Sequence, residues 1–179
     1  HRIFTLVNDW LKFSEAKNGA LFALSGAGVT AILGFFASKE NMALHWKAGL
    51  IGACMCLGLA AVCAIISFLP ITTFSSRYFG EPDHNDNLVF FGHLAKYLDQ
   101  ENLLVSRIYT WYILNQSNPF SRTEVSFSKL HHHLAHQIIN NSQLTLRKFE
   151  WAKRSVLAIG VAGIAAITIP TFIVLVKHI

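Results

Sequence analysis

The sequence carries little charge. Asp, Glu, Lys and Arg make up 14% of its 179 residues, and its mean hydropathy is +0.40, whereas a soluble domain is about 25% charged. The shortage is concentrated in three runs without a charged residue, at positions 19–38, 48–76 and 155–176. Each run is near or above the roughly 20 residues that cross a bilayer core as a helix. The composition excludes a small soluble domain and predicts an integral membrane protein with three transmembrane helices.

Cysteine is also scarce, and its position excludes the usual roles. The three cysteines, Cys54, Cys56 and Cys63, all lie within the second apolar run. An odd number of thiols in hydrocarbon indicates packing rather than a disulfide framework or a zinc site. We therefore predict no metal at these positions and infer no redox compartment from them.

Catalytic motifs are lacking as well. The sequence has no Walker-type glycine loop, no Gly-x-Ser-x-Gly and no pair of acids in an apolar context, so we expect a protein that is not an enzyme and needs no cofactor. The three runs also contain no His. A selective transporter or proton pump usually needs an ionisable residue within a span. A pore built from several copies, or an assembly that disrupts the membrane, has no such need.

The chain is predicted to be helical, with boundaries at the apolar runs. Residues 1–18 place apolar side chains at helical spacing and Trp10 near the membrane boundary, which indicates an interfacial amphipathic helix. A cytosolic helix packed on its own protein is an equal alternative. We assign residues 19–76 to a transmembrane hairpin, 77–153 to a cytosolic helical segment, and 154–179 to the third span and a short tail.

The cytosolic segment is predicted to hold two helices. The first runs from about Leu88 to Leu114, with a candidate break near Asp99, and a loop follows it. From position 124 no Gly or Pro intervenes until Gly160, so the second helix continues into the third span. Its apolar positions, such as Leu130, Leu134, Ile138 and Ile139, need partners on the first helix or on other copies. The fold class is an all-α membrane protein whose last long helix joins the cytosolic segment to a span.

The distribution of charge predicts the topology. Nine Lys and Arg residues lie between Arg77 and Arg154, against seven Asp and Glu residues. The hairpin between the first two spans offers only Lys39, Glu40 and Lys47. By the positive-inside rule, the N-terminus and the middle segment lie in the cytoplasm.

Small residues recur every four positions in the spans. Gly26, Thr30 and Gly34 share one face of the first span, and Ala158, Ala162 and Ala166 share one face of the third. Small residues let helix backbones approach closely, which is how spans associate in lipid. We predict that these two stripes pack the spans of a homo-oligomer or line its pore. Pro70 and Pro170 are expected to end or kink their helices.

A histidine-rich stretch offers a candidate ligand site. His132 and His136 are four residues apart and share a helix face, as zinc-binding pairs do. No carboxylate follows in the zincin pattern, so exposed structural histidines are the simpler interpretation. A third interpretation is that His132, His133 and His136, with Lys129, donate hydrogen bonds to an anionic ligand, whose binding would then depend on pH.

Basic residues near the third span have two interpretations. Arg147 and Lys148, together with Lys153 and Arg154, form a belt that suits anionic headgroups. With cytosolic Arg107, Arg122 and Lys129, they could instead line a site for nucleotide phosphates or a single-stranded oligonucleotide, whose bases stack on aromatic side chains. The candidate ligand-binding residues are therefore Arg107, Lys129, His132, His133, His136, Arg147 and Lys148.

Three fragments resemble a known family. Residues 10–20 (WLKFSEAKNGA) precede the first span, residues 87–93 (NLVFFGH) follow the second, and residues 142–149 (SQLTLRKF) lead into the third. Their order and spacing resemble the Pycsar-effector transmembrane domain and the related SLATT-type membrane domains of bacterial antiphage systems. The resemblance covers most of the chain.

The resemblance implies a bacterial inner-membrane effector, encoded beside a nucleotidyltransferase or cyclase and controlled by the nucleotide signal of that enzyme. Unlike the cyclic-nucleotide-controlled members, residues 1–179 include no separate β-rich nucleotide-binding domain, so either such a domain lies beyond these residues or the signal binds the helical cytosolic segment directly. The leading hypothesis is an oligomeric effector that a nucleotide or oligonucleotide gates and that forms a channel or disrupts the membrane. The alternative is a non-conducting membrane adaptor that recruits a cytosolic partner. A third hypothesis is a metal-dependent membrane enzyme centred on His132 and His136.

Overall fold

The computed structural model describes residues 2–39, 42–69, 80–83, 85–98, 100–114 and 128–177. This part of the chain contains α-helices, one 3-10 helix and no strands, which confirms the predicted all-α class. The helices are α1 (Arg2–Ser38), α2 (Leu44–Phe68), α3 (Phe91–Leu94), the 3-10 helix Ala95–Tyr97, α4 (Glu101–Leu114) and α5 (Lys129–Lys177). Pro70, Arg122 and the predicted loop after Leu114 lie outside the described residues.

Three of these helices, α1, α2 and α5, are long and apolar enough to cross a membrane, as predicted. The amphipathic N-terminal stretch and the first apolar run form one continuous helix of 37 residues. The last helix is continuous over 49 residues and retains Pro170 in its interior. Pro170 therefore does not end the third candidate span, which continues to Lys177.

The predicted helix from Leu88 to Leu114 is divided. Only Phe91–Leu94 and Glu101–Leu114 are α-helical, with the 3-10 turn between them. Side chains before Phe91 bind the backbone instead: the Asn87 Oδ1 accepts a hydrogen bond from the Val89 N–H at 2.9 Å. Asn and Asp favour such local bonds over a helix. The second division comes at Leu98, whose φ of −52° and ψ of 128° are not helical.

The described helices belong to two compact units. The first comprises His1–Phe13 and Pro70–Arg147, and the second comprises Ser14–Leu69 and Lys148–Ile179. Helices α1 and α5 each contribute residues to both units.

The first unit has a core of aliphatic side chains. Leu94, Tyr97 and Leu104 have no exposed surface, and Ile138 and Ile139 of α5 pack into the same cluster. Positions 135, 138 and 139 recur at helical spacing, so one face of α5 is buried. The packing predicted for Ile138 and Ile139 is confirmed, whereas Leu130 is 63% exposed. Val7 of α1, Leu88, Val105 and Ala135 complete this cluster.

The second unit is held together by small residues of α2. A Cβ atom at Gly49 would lie 2.7 Å from the ring of Pro170, so α2 and α5 touch there. Further along, the Ser155 hydroxyl donates a hydrogen bond of 2.9 Å to the carbonyl of Ala60, which is fully buried. A Cβ atom at Gly28 of α1 would meet the Leu57 side chain at 2.8 Å. Glycine, alanine and serine thus allow the close approach that apolar spans need.

Candidate functional site

The first unit has an open surface depression of about 320 Å³ between the starts of α4 and α5, which we call the cavity. Glu101 and Asn102 line it from α4, and His132, His133 and His136 line it from α5. Its volume is at the lower end for small-molecule sites, and because Asn102, His133 and His136 are exposed, a bound ligand would stay partly in contact with solvent. The three histidines that the sequence singled out therefore lie together. Glu101 and Asn102 were not predicted.

Glu101 and His136 form the closest polar contact in the cavity. The Nδ1 of His136 lies 2.8 Å from the Oε1 of Glu101. Because a carboxylate only accepts, the histidine is the donor. The hydrogen bond from His136 and then the Glu101 backbone N–H hold the pKa of this carboxyl below its usual value, against the opposing effect of burial. Glu101 is also in the first turn of α4, where the helix dipole favours a negative charge.

The cavity offers hydrogen-bonding groups of both kinds. Imidazoles and the Asn102 amide can donate, and the Glu101 carboxylate and the amide oxygen accept. An anionic group could accept hydrogen bonds from His132 and His133, but it would share the cavity with the Glu101 carboxylate, whose pKa the nearby His132 also lowers. Within the described ranges, no group of three or more His, Cys, Asp or Glu side chains is arranged to hold a metal ion. The arrangement suits a polar organic ligand.

Arg107 lies elsewhere in the first unit. Its guanidinium donates hydrogen bonds to the Tyr97 hydroxyl and to the Asp83 carbonyl, and it lies 5.9 Å from the centroid of the Tyr97 ring. Burial raises the pKa of the Tyr97 hydroxyl, although Arg107 opposes that rise. Arg107 does not line the cavity. It ties the loop at Asp83 to the fully buried Tyr97.

A buried ion pair that was not predicted from the sequence involves the same loop. The Asp86 side chain is 3% exposed, and its Oδ1 accepts a hydrogen bond of 2.7 Å from the Lys96 ammonium. Burial raises the pKa of the Asp86 carboxyl, but hydrogen bonds from Lys96 and from the Asp83 backbone outweigh it, and the pKa is lowered. This pair ties Asp86, which precedes α3, to the 3-10 helix that contains Lys96.

The remaining predicted cations are dispersed. Lys129 is exposed at the start of α5, and Arg147 is the last residue of the first unit. Lys148 belongs to the second unit, where its ammonium lies 3.0 Å from the Glu15 carboxylate and 5.6 Å from the Phe68 ring centroid. The charge of Lys148 is evident from the sequence, but its contacts with Glu15 and Phe68 are not, because both residues are distant from it in the chain.

Asn18 joins α1 to α5 within the second unit. Its side chain is fully buried, and its Nδ2 donates a hydrogen bond of 3.2 Å to the Lys148 carbonyl. Its Oδ1 has no hydrogen-bond partner among the described residues. With the Lys148–Glu15 pair, this contact fixes α1 beside α5 at the start of the first apolar run.

The two predicted small-residue stripes differ in exposure. Gly26, Thr30 and Gly34 of α1 are exposed, and a Cβ atom at either glycine would meet no described atom within 4 Å. In the third candidate span Ala162 is 3% exposed, and its neighbours Ala158 and Ala166 are half-buried. The α5 stripe therefore packs within the second unit, and the α1 stripe faces outward.

Fold and composition together define an all-α membrane protein with three candidate spans and a polar cavity in a separate helical unit. The model of the family "Pycsar effector protein domain" matches residues 1–176. The chain therefore belongs to this Pycsar effector family, which confirms the resemblance found in the sequence.

A curated relative agrees with this assignment. The Pycsar effector protein PtPycTM of Propioniciclava tarda is 27% identical over 170 residues, which cover 92% of this chain and 73% of the relative. No solved structure matches the chain. Membership of the family implies that the protein is an antiphage defence effector in the membrane. The family consists of effectors rather than catalysts. Its members respond to a cyclic nucleotide signal from a partner cyclase.

Proposed function

We propose that the protein is an oligomeric effector that is gated by a nucleotide or oligonucleotide signal and that forms a channel or disrupts the bacterial inner membrane. The signal comes from a partner nucleotidyltransferase or cyclase. The N-terminus and the segment 77–153 are cytoplasmic, and residues 19–76 and 154–179 contain the spans. The observation that carries this proposal is helix α5, which begins at the cavity and ends as the third candidate span.

A continuous helix supports transmission of a signal along its axis. The 49 residues of α5 extend over roughly 74 Å at 1.5 Å per residue. His132, His133 and His136 occupy its second and third turns, and Pro170 lies in the part that packs on α2. A ligand that moves the start of α5 relative to α4 would bias the position of the whole helix, because a helix bends little without a break.

The cavity supports a nucleotide as the ligand. Histidine and Lys129, three residues before His132 on the same face, would contact the phosphate. Asn102 and Glu101 would form hydrogen bonds with a base or sugar. In this proposal Arg107 and Lys148 position the helices instead of touching the ligand, since each already has a carbonyl, hydroxyl or carboxylate partner. Arg147 remains a candidate for the phosphate or for headgroups.

The exposed stripe of α1 supports association of copies. Gly26, Thr30 and Gly34 offer a face on which a second helix can approach closely. A pore between copies would need no charge within a single span. We expect detergent-purified protein to have the mass of an oligomer, and Gly34→Leu to reduce it. A strictly monomeric protein, with and without cyclic nucleotides, would contradict this mechanism.

Calorimetric titration with cyclic mononucleotides and cyclic oligonucleotides tests the cavity. We expect one of these to bind the purified protein and the double variant His132→Ala/His136→Ala to bind it at least tenfold more weakly. His131→Ala is the matched control, because it changes the same residue type on the same helix outside the cavity lining. Equal affinity in the double variant and the control would place the site elsewhere.

The alternative is a non-conducting adaptor that binds a cytosolic protein. It is favoured by three exposed apolar side chains on the first unit: Leu103 is 43%, Trp111 is 47% and Leu130 is 63% exposed. An adaptor predicts a stoichiometric partner that is lost on Leu130→Asp, and no movement of solutes across liposomes.

A further inference from the structure

A turn in the first unit displays two apolar side chains. The four residues Leu88–Phe91 are all apolar, but the first and last are buried whereas the middle two are exposed. Leu88 and Phe91 are 8% and 7% exposed, whereas Val89 and Phe90 are 41% and 44% exposed. Exposure of two consecutive apolar residues between two buried ones requires an explanation, because either could have been polar without loss of the core.

Hydrogen bonds hold this turn in place. The Asn87 side chain accepts from the Val89 N–H at 2.9 Å, and the Asn87 carbonyl accepts from the Phe90 N–H at 3.1 Å. The Phe90 carbonyl in turn accepts from the backbone N–H groups of His93 and Leu94, both at 3.1 Å. The Asn87 N–H is bound too, to the Nδ1 of His93 at 2.7 Å. Val89 and Phe90 are therefore presented outward by a fixed backbone.

The turn is continuous with aromatic side chains of α1. The ring centroids of Phe90 and Phe91 are 4.7 Å apart, those of Phe91 and Trp10 are 5.6 Å apart, and those of Trp10 and Phe13 are 6.1 Å apart. Trp10 is 38% and Phe13 is 54% exposed. We call these four rings and Val89 the aromatic strip. The buried Phe91 ring links the exposed Phe90 to the exposed Trp10, so these side chains form one cluster, unlike the single exposed apolar residues that are common on proteins.

The place of the strip on α1 identifies what covers it. Phe13 is six residues before the first apolar run begins at position 19, and α1 has no break between them. At 1.5 Å per residue this separation is about 9 Å along the helix. Aromatic side chains concentrate at this depth, where the hydrocarbon meets the headgroups. Lys12, between the two aromatic residues, is exposed and suits anionic headgroups.

We propose that the Val89–Phe90 turn inserts into the headgroup–acyl boundary of the bilayer. The first unit is then held to the membrane at two places, by α1 and by a turn that is remote from it in sequence. Its partner is the lipid surface. The proposal is independent of the gating mechanism, because it concerns a surface away from the histidine cavity.

Depth-dependent quenching tests the proposal. In a variant with Cys54, Cys56 and Cys63 replaced by Ala, Phe90→Cys would be labelled with an environment-sensitive fluorophore in liposomes of phosphatidylcholine and phosphatidylglycerol. We expect emission at shorter wavelength and several-fold stronger quenching by lipids with a spin label near the headgroup. Leu103→Cys and Leu130→Cys are matched controls, because both are exposed apolar residues of the same unit.

The outcomes separate lipid from protein. Val89→Cys gives the same measurement if Phe90→Cys does not fold. Quenching at both positions no greater than at Leu103→Cys would overturn the proposal. Disulfide formation between Phe90→Cys side chains of two copies, with no lipid quenching, would also overturn it, because the strip would then be covered by a second copy.

Discussion

The two units bury opposite kinds of side chain. The first encloses large apolar residues such as Leu94 and Leu104. The second encloses Ala60, Ala64 and Ser155 and exposes most of its large ones: Leu59, Ile65, Leu157, Ile164, Ile167 and Phe172 are between 49% and 68% exposed. The proposed topology, with water around the first unit and lipid around the second, would account for the difference, because apolar side chains gain nothing by leaving lipid. Leucine therefore packs in the core of the first unit, whereas in the second unit it lies mostly on the outer surface.

The largest expected effect is the difference in stability between two leucine-to-alanine variants, one in each unit. Leu104→Ala should lower the free energy of unfolding by about 2–5 kcal/mol, because Leu104 is fully buried and the change leaves a cavity. Leu157→Ala should have little effect, because Leu157 is 60% exposed and lipid fills the space. Unfolding in mild detergent, followed by circular dichroism, measures both. Equal losses would break the comparison between the two units.

A smaller loss is expected where α2 touches α5. Gly49→Ala places a Cβ atom 2.7 Å from the Pro170 ring, which cannot move aside as a flexible side chain can. We expect the free energy of unfolding to fall by about 1–3 kcal/mol, the usual cost of overpacking. Gly58→Ala is the matched control on the same helix, because its Cβ atom meets no described atom within 4 Å. If the two variants melt together, the small residues of α2 do not set the helix spacing.

Lys148→Met tests whether this cation is structural. It removes the contact with Glu15, which is 47% exposed, so the loss of stability should be at most about 1 kcal/mol. Lys153→Met, an exposed lysine on the same helix, should cost less. Calorimetric affinity for the signal nucleotide should not change. A tenfold loss of affinity would return Lys148 to the ligand site.

The smallest effect is a dependence on pH. The pKa of the Glu101 carboxyl in the folded protein is below its ordinary value of 4.5. The Glu101–His136 contact therefore stabilises the fold fully above that value, and its contribution is lost as the pH falls through the lowered pKa. Between pH 6 and pH 3.5, wild type should lose more stability than Glu101→Gln. Glu81→Gln, an exposed control, should follow wild type. Parallel curves for all three would show that the contact contributes nothing.

Much of the fold follows from local sequence. The three apolar runs predict the three span-forming helices because length and absence of charge are sufficient signals in lipid. The continuity of α5 followed from the absence of Gly and Pro before Gly160. The break predicted near Asp99 has its counterpart at Leu98, but the start of the helix at Phe91 instead of Leu88 was not expected, because it depends on which backbone groups the Asn87 side chain binds. Asn and Asp are favoured both as helix N-caps and in turns, so the sequence alone does not tell which of the two Asn87 forms.

The site was partly predictable. The spacing of His132 and His136 places them on one face of a helix, and the structure has them in one cavity. Glu101 was not predicted, because its partner His136 lies 35 positions away in the sequence. The only local feature that distinguishes Glu101 is its position in the first turn of α4, which is common for acidic residues. Arg107 and Lys148 were grouped by charge, whereas their partners Tyr97 and Glu15 are determined by tertiary packing.

Efflux of a small dye from liposomes tests most directly whether the first unit controls the second. Protein would be reconstituted in bacterial inner-membrane lipids, and the cyclic nucleotide that binds in the titration would be added outside, where a fraction of copies present the first unit. We expect nucleotide-dependent efflux from wild type and from His131→Ala, and none at the same concentration from His132→Ala/His136→Ala. Efflux that is absent with every nucleotide, or equal in the double variant, would contradict a cavity-gated membrane effector.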